Sequence, residues 1–160
     1  MFYTWLEETP IGRILLAGEI DCLKYLVFDH EKSIKRHAIP KNDWEENGKP
    51  FADVIQQLNS YFAGQLTEFD VPIDGDGTPF QRKVWAALCD VPFGQTRTYG
   101  EIASAIGNSK ASRAVGLANG RNPISIIVPC HRIIGSSGKL VGYGGGLDRK
   151  TRLLQLEGII

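Results

Sequence analysis

The spacing of apolar residues along the chain predicts a small sheet followed by several helices. Near the beginning, short apolar stretches separated by turns predict antiparallel strands at 2–6, 12–19 and 22–28. Farther along, apolar residues recur every three or four positions, which predicts helices at 51–64, 78–92, 98–107, 108–120 and 147–158. The run ISIIV at 124–128 indicates one more strand, a buried one. The order of these elements indicates an α+β protein.

A stretch rich in Gly, Pro and Asp divides the chain into two parts. The segment VPIDGDGTP at 71–79 contains turn-forming residues throughout and predicts a linker. We therefore expect one domain over 1–77 and a second over 78–160. In the second part, the short helices at 98–107 and 108–120 are separated by a tight turn at Gly107, which is the arrangement of a helix-turn-helix.

The second of these short helices has one apolar face and one face almost without side chains. At about 100° per residue, small apolar residues oppose a mixed set that contains a single arginine: Ala111, Ala114, Val115 and Ala118 against Ser112, Arg113, Gly116 and Gly120. Glycine costs a helix about 1 kcal/mol relative to alanine, so the bare face indicates that something approaches closely. Either a nucleic-acid duplex lies there, with Arg113 as a probe, or another helix packs through the glycines.

Charge is unevenly distributed although the chain carries 18 basic and 18 acidic residues. Residues 1–77 contain 7 Lys+Arg and 14 Asp+Glu, a net charge of −7, whereas 78–160 contain 11 and 4, a net charge of +7. A basic C-terminal part suits a polyanion such as DNA. Chance clustering of solvated charges would give the same counts, so charge alone does not decide between the two interpretations.

Neither a membrane nor an oxidising compartment is indicated. No apolar run reaches the roughly 18 residues of a membrane span, and the first residues lack the basic start of a secretory signal. The three cysteines, Cys22, Cys89 and Cys130, are odd in number and widely spaced, which argues against a disulfide framework. We expect a cytoplasmic protein in which Cys22 and Cys89 are inert.

The sequence IIVPCHRIIG at 126–135 places reactive side chains inside an apolar run. Cys130 is the candidate nucleophile, because neighbouring basic groups favour the thiolate that attacks carbon. In a continuous strand Cys130 and His131 would point to opposite faces, so either the chain turns here or a water bridges the two. Glu157 stands at the last turn of a helix, where the dipole disfavours an acid. It is a candidate to orient the imidazole, unless it is simply exposed.

The glycine-rich segment VGYGGG at 141–146 matches neither a dinucleotide-binding loop nor a P-loop. It indicates close approach of the backbone to a ligand, with Tyr143 as a wall or lid, or else a plain mobile loop. Cys22 and His30 share a region, but no pair of ligands at metal-binding spacing accompanies them. We therefore expect no metal.

Together these motifs resemble the O6-alkylguanine-DNA alkyltransferases, also called methylated-DNA–protein-cysteine methyltransferases. The resemblance lies in TPFQRKVWAAL, YGEIA, SRAVGLANGRNPISIIVPCHR, GYGGG and LLQLEG, all after position 77. It implies an N-terminal ribonuclease H-like α/β domain and a C-terminal winged-helix-like domain. It also implies a suicide reaction, in which the alkyl group of O6-alkylguanine in double-stranded DNA moves once to the protein.

The resemblance implies four catalytic roles around the signature. Cys130 would accept the alkyl group, and His131 would act on it through a bridging water. Glu157 would lie behind the histidine, and Asn122 would hold the active-site turn.

The resemblance also implies contacts with DNA and with the extruded base. Arg113 would enter the base stack in place of the guanine, with Ser112 and Gly116 beside it, and Tyr99 would crowd the adjoining phosphate and donate to the base. Four residues would line the guanine pocket: Tyr143, Gly144, Gly145 and Val128. Some members of the family carry Ser where this chain has Gly144, so a backbone N–H would have to replace a hydroxyl donor there.

Several alternatives remain at this point. An alkyltransferase-like protein would bind the lesion without reacting, but such proteins lack the acceptor cysteine. A helix-turn-helix regulator would need no Cys-His pair, and a cysteine hydrolase would turn over repeatedly. For the alkyltransferase we expect no cofactor, no membrane partner and a monomer.

Overall fold

The N-terminal part contains a four-stranded sheet, as described by a computed structural model of all 160 residues. Its strands are β1 (Phe2–Leu6), β2 (Ile14–Gly18), β3 (Leu23–Phe28) and the short β4 (Glu45–Glu46), in the order β3-β2-β1-β4. The pairs β1–β2 and β2–β3 are antiparallel, and β4 joins the edge parallel to β1. The three predicted strands are therefore confirmed.

Two helices accompany this sheet, α1 (Glu31–His37) and α2 (Ala52–Phe62), the second after a 3₁₀ turn at Lys49–Phe51. The predicted helix α2 buries Val54, Leu58 and Tyr61 at helical spacing. The sequence did not predict α1, because its single buried residue is Ser33 and no apolar periodicity marks it.

The C-terminal part contains four helices, α3 (Pro79–Cys89), α4 (Tyr99–Ala105), α5 (Ser112–Gly120) and α6 (Leu147–Leu156). Two-residue strands β5 (Arg97–Thr98) and β6 (Ile133–Ile134) pair parallel. Capping boxes start α3 and α4, at Thr78 with Gln81 and at Thr98 with Glu101, and they satisfy free N–H groups at each helix start. Helices α4 and α5 pack together as the predicted helix-turn-helix.

The faces of α5 differ from the prediction at two positions. Ala114, expected inside, is exposed, and Asn119 is buried instead. Alanine buries little apolar area, whereas the Asn119 amide donates to the Cys130 carbonyl at 3.4 Å. The helix also starts at Ser112 rather than 108, and Ala111 before it gives no side-chain cap.

The predicted strand at 124–128 is wrong. These residues form a compact turn, and only Ile124 pairs, in an isolated bridge with Leu26 of β3. Ile126 has a φ of 71°, in the left-handed region that β-branched residues rarely adopt. Ile124, Ile126 and Val128 are all buried, so the apolar run reflects burial of a turn rather than a strand.

One hydrophobic core serves both parts of the chain. It contains 25 buried residues, among them Leu16, Phe28 and Tyr61 from the first part and Val115 and Cys130 from the second. The boundary between residues 77 and 78 stays a prediction. No helix is both long and apolar enough to cross a membrane.

Candidate active site

Cys130, His131 and Arg132 form a single 3₁₀ turn directly after Pro129. The chain therefore turns here, which is one of the two possibilities that the sequence left open. All three side chains are buried. The turn directs the side chains of neighbouring residues to different sides. His131 therefore contacts Glu157, whereas Cys130 lines a small cavity.

The Asn122 side chain forms hydrogen bonds with the backbone of the turn at 124–128, which precedes Cys130. Its amide nitrogen donates to the Val128 carbonyl at 2.9 Å and to the Ile124 carbonyl at 3.3 Å, and its oxygen accepts from the Ile124 N–H at 3.0 Å. Left-handed backbone at Ile126 costs of the order of 1–3 kcal/mol. The contacts of Asn122 help to hold this strained turn in place.

Glu157 caps the end of α6 and binds four neighbours. His131 Nε2 lies 2.6 Å from Oε2, and the Tyr61 hydroxyl donates to the same oxygen at 2.6 Å. Arg132 donates from Nε to Oε1 at 2.7 Å and from Nη2 to Oε2 at 3.1 Å, and the Gly94 N–H donates to Oε1 at 3.3 Å. Burial alone would raise the pKa of Glu157, but the bonds from His131 and Arg132 outweigh it and lower the pKa to about 2.

His131 is a neutral imidazole with one free nitrogen. Burial lowers its pKa, although the contact with Glu157 opposes that effect. Because Glu157 is ionised, the ring proton belongs on Nε2, where it is donated to the carboxylate. Nδ1 then carries a lone pair and is buried without a partner. This atom is available to receive a proton.

Cys130 is only 3% exposed. Burial raises the pKa of its thiol, and the side chains of Asn122 and Tyr143 and the charge of Lys150 oppose this in part. The resting sulfur is therefore a thiol. The basic groups that the sequence places beside Cys130 therefore do not ionise it at rest, because burial outweighs them.

A cavity of about 20 Å³ lies beside Cys130. That is room for about one water molecule, and a purine base does not fit. The cavity is lined by Tyr143, Gly144 and Gly145 and also by α1. That Tyr143 and these glycines bind a guanine stays a prediction. Two contacts from α1 close it: the Ser33 hydroxyl donates to the Gly144 carbonyl at 3.0 Å, and Arg36 Nη1 donates to the Gly120 carbonyl.

Two buried polar atoms at this cavity lack a hydrogen-bond partner of good geometry, Asn119 Oδ1 and the Tyr143 hydroxyl, although the hydroxyl lies close enough to the Cys130 sulfur to affect its pKa. Buried polar atoms are normally paired. Unpaired ones that face a cavity next to a nucleophile are therefore candidates to bind a ligand.

Val128 and Tyr99, both predicted for the substrate, are placed differently. Neither lines the cavity. The Val128 carbonyl already accepts from Asn122 and from the Cys130 N–H at 2.8 Å, and the Tyr99 hydroxyl donates to the Val141 carbonyl at 3.2 Å. Both must change partners before they can contact a base.

The glycines of α5 are not explained by packing within the protein. A Cβ atom at Gly116 would meet the Tyr99 ring at 3.8 Å, and one at Gly120 would meet Arg36 at 3.9 Å, both ordinary contacts. A helix packed through these glycines is therefore not observed. Gly145 is different, because packing within the protein explains it: a Cβ atom there would lie 2.2 Å from the Phe28 ring, too close for any side chain.

Arg113 lies on the outer face of α5, apart from the Cys130 cluster. Its side chain is exposed and makes no ion pair, and Ser112 beside it is half-buried. The bare outer face that the sequence predicted is therefore present, with Leu117 as an exposed apolar addition.

Sequence reasoning missed several residues around the cluster. Each bonds a segment outside its own helix, and for three of them that segment is far away in the chain. They are Asn119 and Lys150, with nearer partners, and Tyr61, Ser33 and Arg36, with distant ones. One signal existed, because Lys150 and Glu157 occupy the same buried face of α6 as Leu153 and Leu154. Charged residues at core-facing positions indicate a structural or functional use.

Two family models match the chain. Residues 79–159 match the DNA binding domain of 6-O-methylguanine DNA methyltransferase, and residues 1–75 match its ribonuclease-like domain. A methylated-DNA–protein-cysteine methyltransferase of Methanosarcina acetivorans is 57% identical over 158 residues, which are 99% of each chain. That of Mycobacterium tuberculosis is 53% identical over 153 residues, 94% of this chain and 88% of the relative.

Solved structures agree with these matches. Mycobacterium tuberculosis OGT in complex with DNA superposes with a TM-score of 0.90 at 51% identity, covering 98% of this chain and 92% of the other. The O6-methylguanine-DNA methyltransferase of Pyrococcus kodakaraensis superposes with a TM-score of 0.69 at 25% identity, covering 98% and 99%. The predicted fold class, with a ribonuclease-like and a DNA-binding domain, is confirmed, and the chain belongs to the methylated-DNA–protein-cysteine methyltransferase family.

Proposed function

We propose that this protein repairs duplex DNA by moving the alkyl group of an O6-alkylguanine onto the Cys130 sulfur, once per molecule. The observation that carries the proposal is the order of groups at the site. A buried thiol is followed by a neutral imidazole with an unpaired Nδ1, and an ionised carboxylate holds the other nitrogen. Family membership supports the substrate.

The first step is a proton transfer. The Cys130 proton passes through a bridging water to His131 Nδ1, and the imidazolium that forms is stabilised by Glu157 at 2.6 Å. Glu157 stays ionised because its pKa is about 2. It therefore orients the ring and balances its charge without taking the proton.

The second step is the transfer itself. The thiolate attacks the alkyl carbon in line, the S–C bond forms, and the C–O6 bond breaks. Its electron pair leaves with the guanine. The guanine takes up one proton, and the His131 imidazolium gives up the proton that came from Cys130, so the imidazole is neutral again. The unpaired Tyr143 hydroxyl can donate to the departing base, as donors in an oxyanion hole do. The product is a thioether, which is no longer nucleophilic enough to react again, so each protein molecule transfers one alkyl group.

The base must leave the duplex before either step. Flipping costs a few kcal/mol and less for a mispaired base. The bare outer face of α5 suits a close approach to DNA, with Arg113 filling the gap in the stack and Ser112 and Gly116 beside it. Tyr99 would exchange its bond to Val141 for one to the base or phosphate.

The cavity must open to admit a guanine. At about 20 Å³ it holds no purine, and the contacts that close it come from Ser33 and Arg36 of α1. Admission of the extruded base therefore requires the contacts of α1 with the Gly120 and Gly144 carbonyls to break or move.

The non-reactive alternative is not favoured. A protein that only binds the lesion has no use for an acceptor cysteine, and Cys130 is present beside His131. All three cysteines are free thiols, which supports a reducing, cytoplasmic setting. The gap between the two family matches supports a domain boundary near residue 77.

Intact-mass spectrometry tests the proposal. After incubation with duplex DNA that contains O6-methylguanine, the protein should gain the mass of one methyl group and no more. Cys130→Ser should gain none and still bind the DNA, whereas Cys89→Ser, which changes an exposed cysteine, should react normally. Label on Cys130→Ser, or repeated turnover by the unaltered protein, would contradict the mechanism.

A further inference from the structure

Lys150 is a buried lysine that the steps above do not use. It lies on α6, is 0% exposed and ranks among the largest fully buried side chains. Burying an ammonium group is costly unless its charge is compensated. The buried acid of the same helix, Glu157, does not compensate it, because His131 and Arg132 bind that carboxylate.

The Lys150 ammonium joins the two segments that carry the reactive groups. Nζ donates to the Ile133 carbonyl at 2.5 Å and to the Val141 carbonyl at 3.2 Å. Ile133 directly follows the Cys130–Arg132 turn, and Val141 starts the glycine-rich segment that carries Tyr143. Lys150 thus connects α6, the nucleophile's turn and the wall of the cavity.

The Val141 carbonyl is shared with a third element. It also accepts from the Tyr99 hydroxyl of α4 at 3.2 Å. When Tyr99 leaves for a bound base, Lys150 still holds this carbonyl. The glycine-rich segment therefore keeps one fixed attachment during substrate entry.

Lys150 forms no ion pair with a carboxylate, and its bond to the Ile133 carbonyl holds it beside the turn that carries Cys130. The ionised form of Cys130 is therefore the counterpart available to its charge. Burial lowers the pKa of Lys150 to about 8, and negative charge on Cys130 opposes this. Lys150 likewise opposes the rise in the pKa of the Cys130 thiol. Arg132 and Glu157 pair with each other, so Glu157 is not free to balance Lys150. His131 cannot balance it either, because the positive charge of Lys150 lowers the pKa of His131 and disfavours an imidazolium.

The remaining titratable groups around Lys150 are neutral phenols. Burial raises the pKa of both Tyr99 and Tyr143. Neither supplies a negative charge at neutral pH.

We propose that Lys150 is a positioning residue that supplies the counter-charge for the Cys130 thiolate and holds the nucleophile's turn against the glycine-rich segment. The inference rests on the proposed role of Cys130. While the thiol proton resides on His131 Nδ1, the sulfur faces a fixed positive charge. As the S–C bond forms and guanine leaves with the electron pair of the C–O6 bond, the sulfur becomes neutral. Lys150 keeps its proton throughout.

The pH dependence of Cys130 reactivity tests this inference without DNA. The background is Cys22→Ser with Cys89→Ser, so that iodoacetamide reports Cys130 alone. Lys150→Met keeps the length of the side chain and removes its charge. Because a nearby opposite charge shifts a pKa by about 1–3 units, the variant should react about 10-fold or more slowly at pH 7, and the deficit should shrink as pH rises. Lys139→Met, which alters an exposed lysine, is the matched control.

A purely structural role for Lys150 would give a different result. Lys150→Met would then lower the melting temperature and slow the reaction equally at every pH, or leave it unchanged, and either result overturns the inference. A different outcome separates the two proposals. If the unaltered protein takes no methyl group from DNA while Lys150→Met shows the expected shift in the iodoacetamide profile, the proposed function is contradicted and the role of Lys150 remains.

A reciprocal measurement covers the case in which Lys150→Met does not fold. Lysine NMR of the unaltered protein gives the titration midpoint of Lys150 before and after iodoacetamide blocks Cys130. Blocking removes the ionisable sulfur, so the part of the Lys150 titration that overlaps with ionisation of Cys130 should move to lower pH. A titration curve unchanged in both midpoint and shape overturns the inference.

Discussion

The two sides of the nucleophile's turn are built in opposite ways. On one side, both carboxylate oxygens of Glu157 accept hydrogen bonds, which come from His131, Arg132, Tyr61 and Gly94. On the other side, next to the Cys130 sulfur, the Asn119 oxygen and the Tyr143 hydroxyl have no partner.

This difference separates what must stay fixed from what must change. A carboxylate with several donors holds the imidazole in one orientation at all times. Unpaired atoms around a small cavity are unfavourable until a ligand satisfies them. We therefore expect the satisfied side to set the chemistry and the unsatisfied side to receive the base.

Removing the charge of Glu157 should have the largest effect. Glu157→Gln replaces an acceptor by an amide and leaves Arg132 buried without its partner, which costs about 3–5 kcal/mol of stability. We expect methyl transfer to slow by about 10²-fold, because His131 loses its anchor. Single-turnover rates and thermal melts measure both effects. The exposed Glu68→Gln is the control, and near-normal transfer by Glu157→Gln would show that the satisfied side does not set the chemistry.

A milder change on the same side is Tyr61→Phe. It keeps the ring against Phe62, Phe69 and Phe93 and removes only the hydroxyl that binds Glu157. A hydrogen bond to a charged group contributes about 1.5–3 kcal/mol, part of which fixes the carboxylate, so we expect transfer to slow by roughly 5-fold.

A double-mutant comparison separates positioning from stability in Tyr61→Phe. In the Glu157→Gln background the hydroxyl has no carboxylate to orient, so Tyr61→Phe should change the transfer rate little there. Tyr25→Phe is the matched control. Equal slowing in both backgrounds would place Tyr61 outside the catalytic arrangement.

Loosening the unsatisfied side should act in the opposite direction. Arg36→Ala removes the bond to the Gly120 carbonyl and should favour the open cavity. We expect a free O6-alkylguanine base to react about 3-fold faster, since the closed state costs a free substrate part of its affinity. Lys35→Ala, on the same helix, should react normally. Slower reaction of the free base would mean that Arg36 binds substrate rather than closing the cavity.

Acid should weaken the same side through His37, a cavity-lining residue of α1. Burial, with help from Arg36 and Arg121, lowers the pKa of His37 to about 4, against about 6.5 when unfolded. The neutral form is thus favoured in the fold, so its stabilisation is complete above pH 6.5 and is lost as pH falls toward 4. We expect a loss of about 1–3 kcal/mol, reduced in His37→Gln. Denaturant unfolding at several pH values measures this loss. If the free energy of unfolding falls equally as pH decreases in the unaltered protein and in His37→Gln, His37 is not the source of the loss.

The sequence predicted the parts of this site that depend on local pattern. The spacing of apolar residues placed α2 through α6, and the Pro-Cys-His-Arg motif with Glu157 at a helix end placed the catalytic groups. The resemblance added a role for each. The structure places His131 against Glu157 and Asn122 against the turn that precedes Cys130, and the roles that the resemblance assigns to them stay predictions.

The parts that failed depend on distant contacts. ISIIV at 124–128 has the composition of a strand because it is buried, but a left-handed Ile126 turns it away from the sheet. Tyr61 and Glu157 are 96 positions apart. Nothing local indicates that a phenol on α2 will meet that carboxylate, nor that α1 will cover the cavity.

Cys130 is not only the nucleophile, because it also belongs to the 25-residue core that both parts of the chain share. The cavity of about 20 Å³ beside its sulfur has room for little more than a methyl group, so a larger alkyl group overfills the packed interior, which costs about 1–3 kcal/mol. Total stability is commonly only about 5–15 kcal/mol. A molecule that has accepted a bulky alkyl group should therefore unfold more readily than a fresh one, so that proteases can remove it selectively.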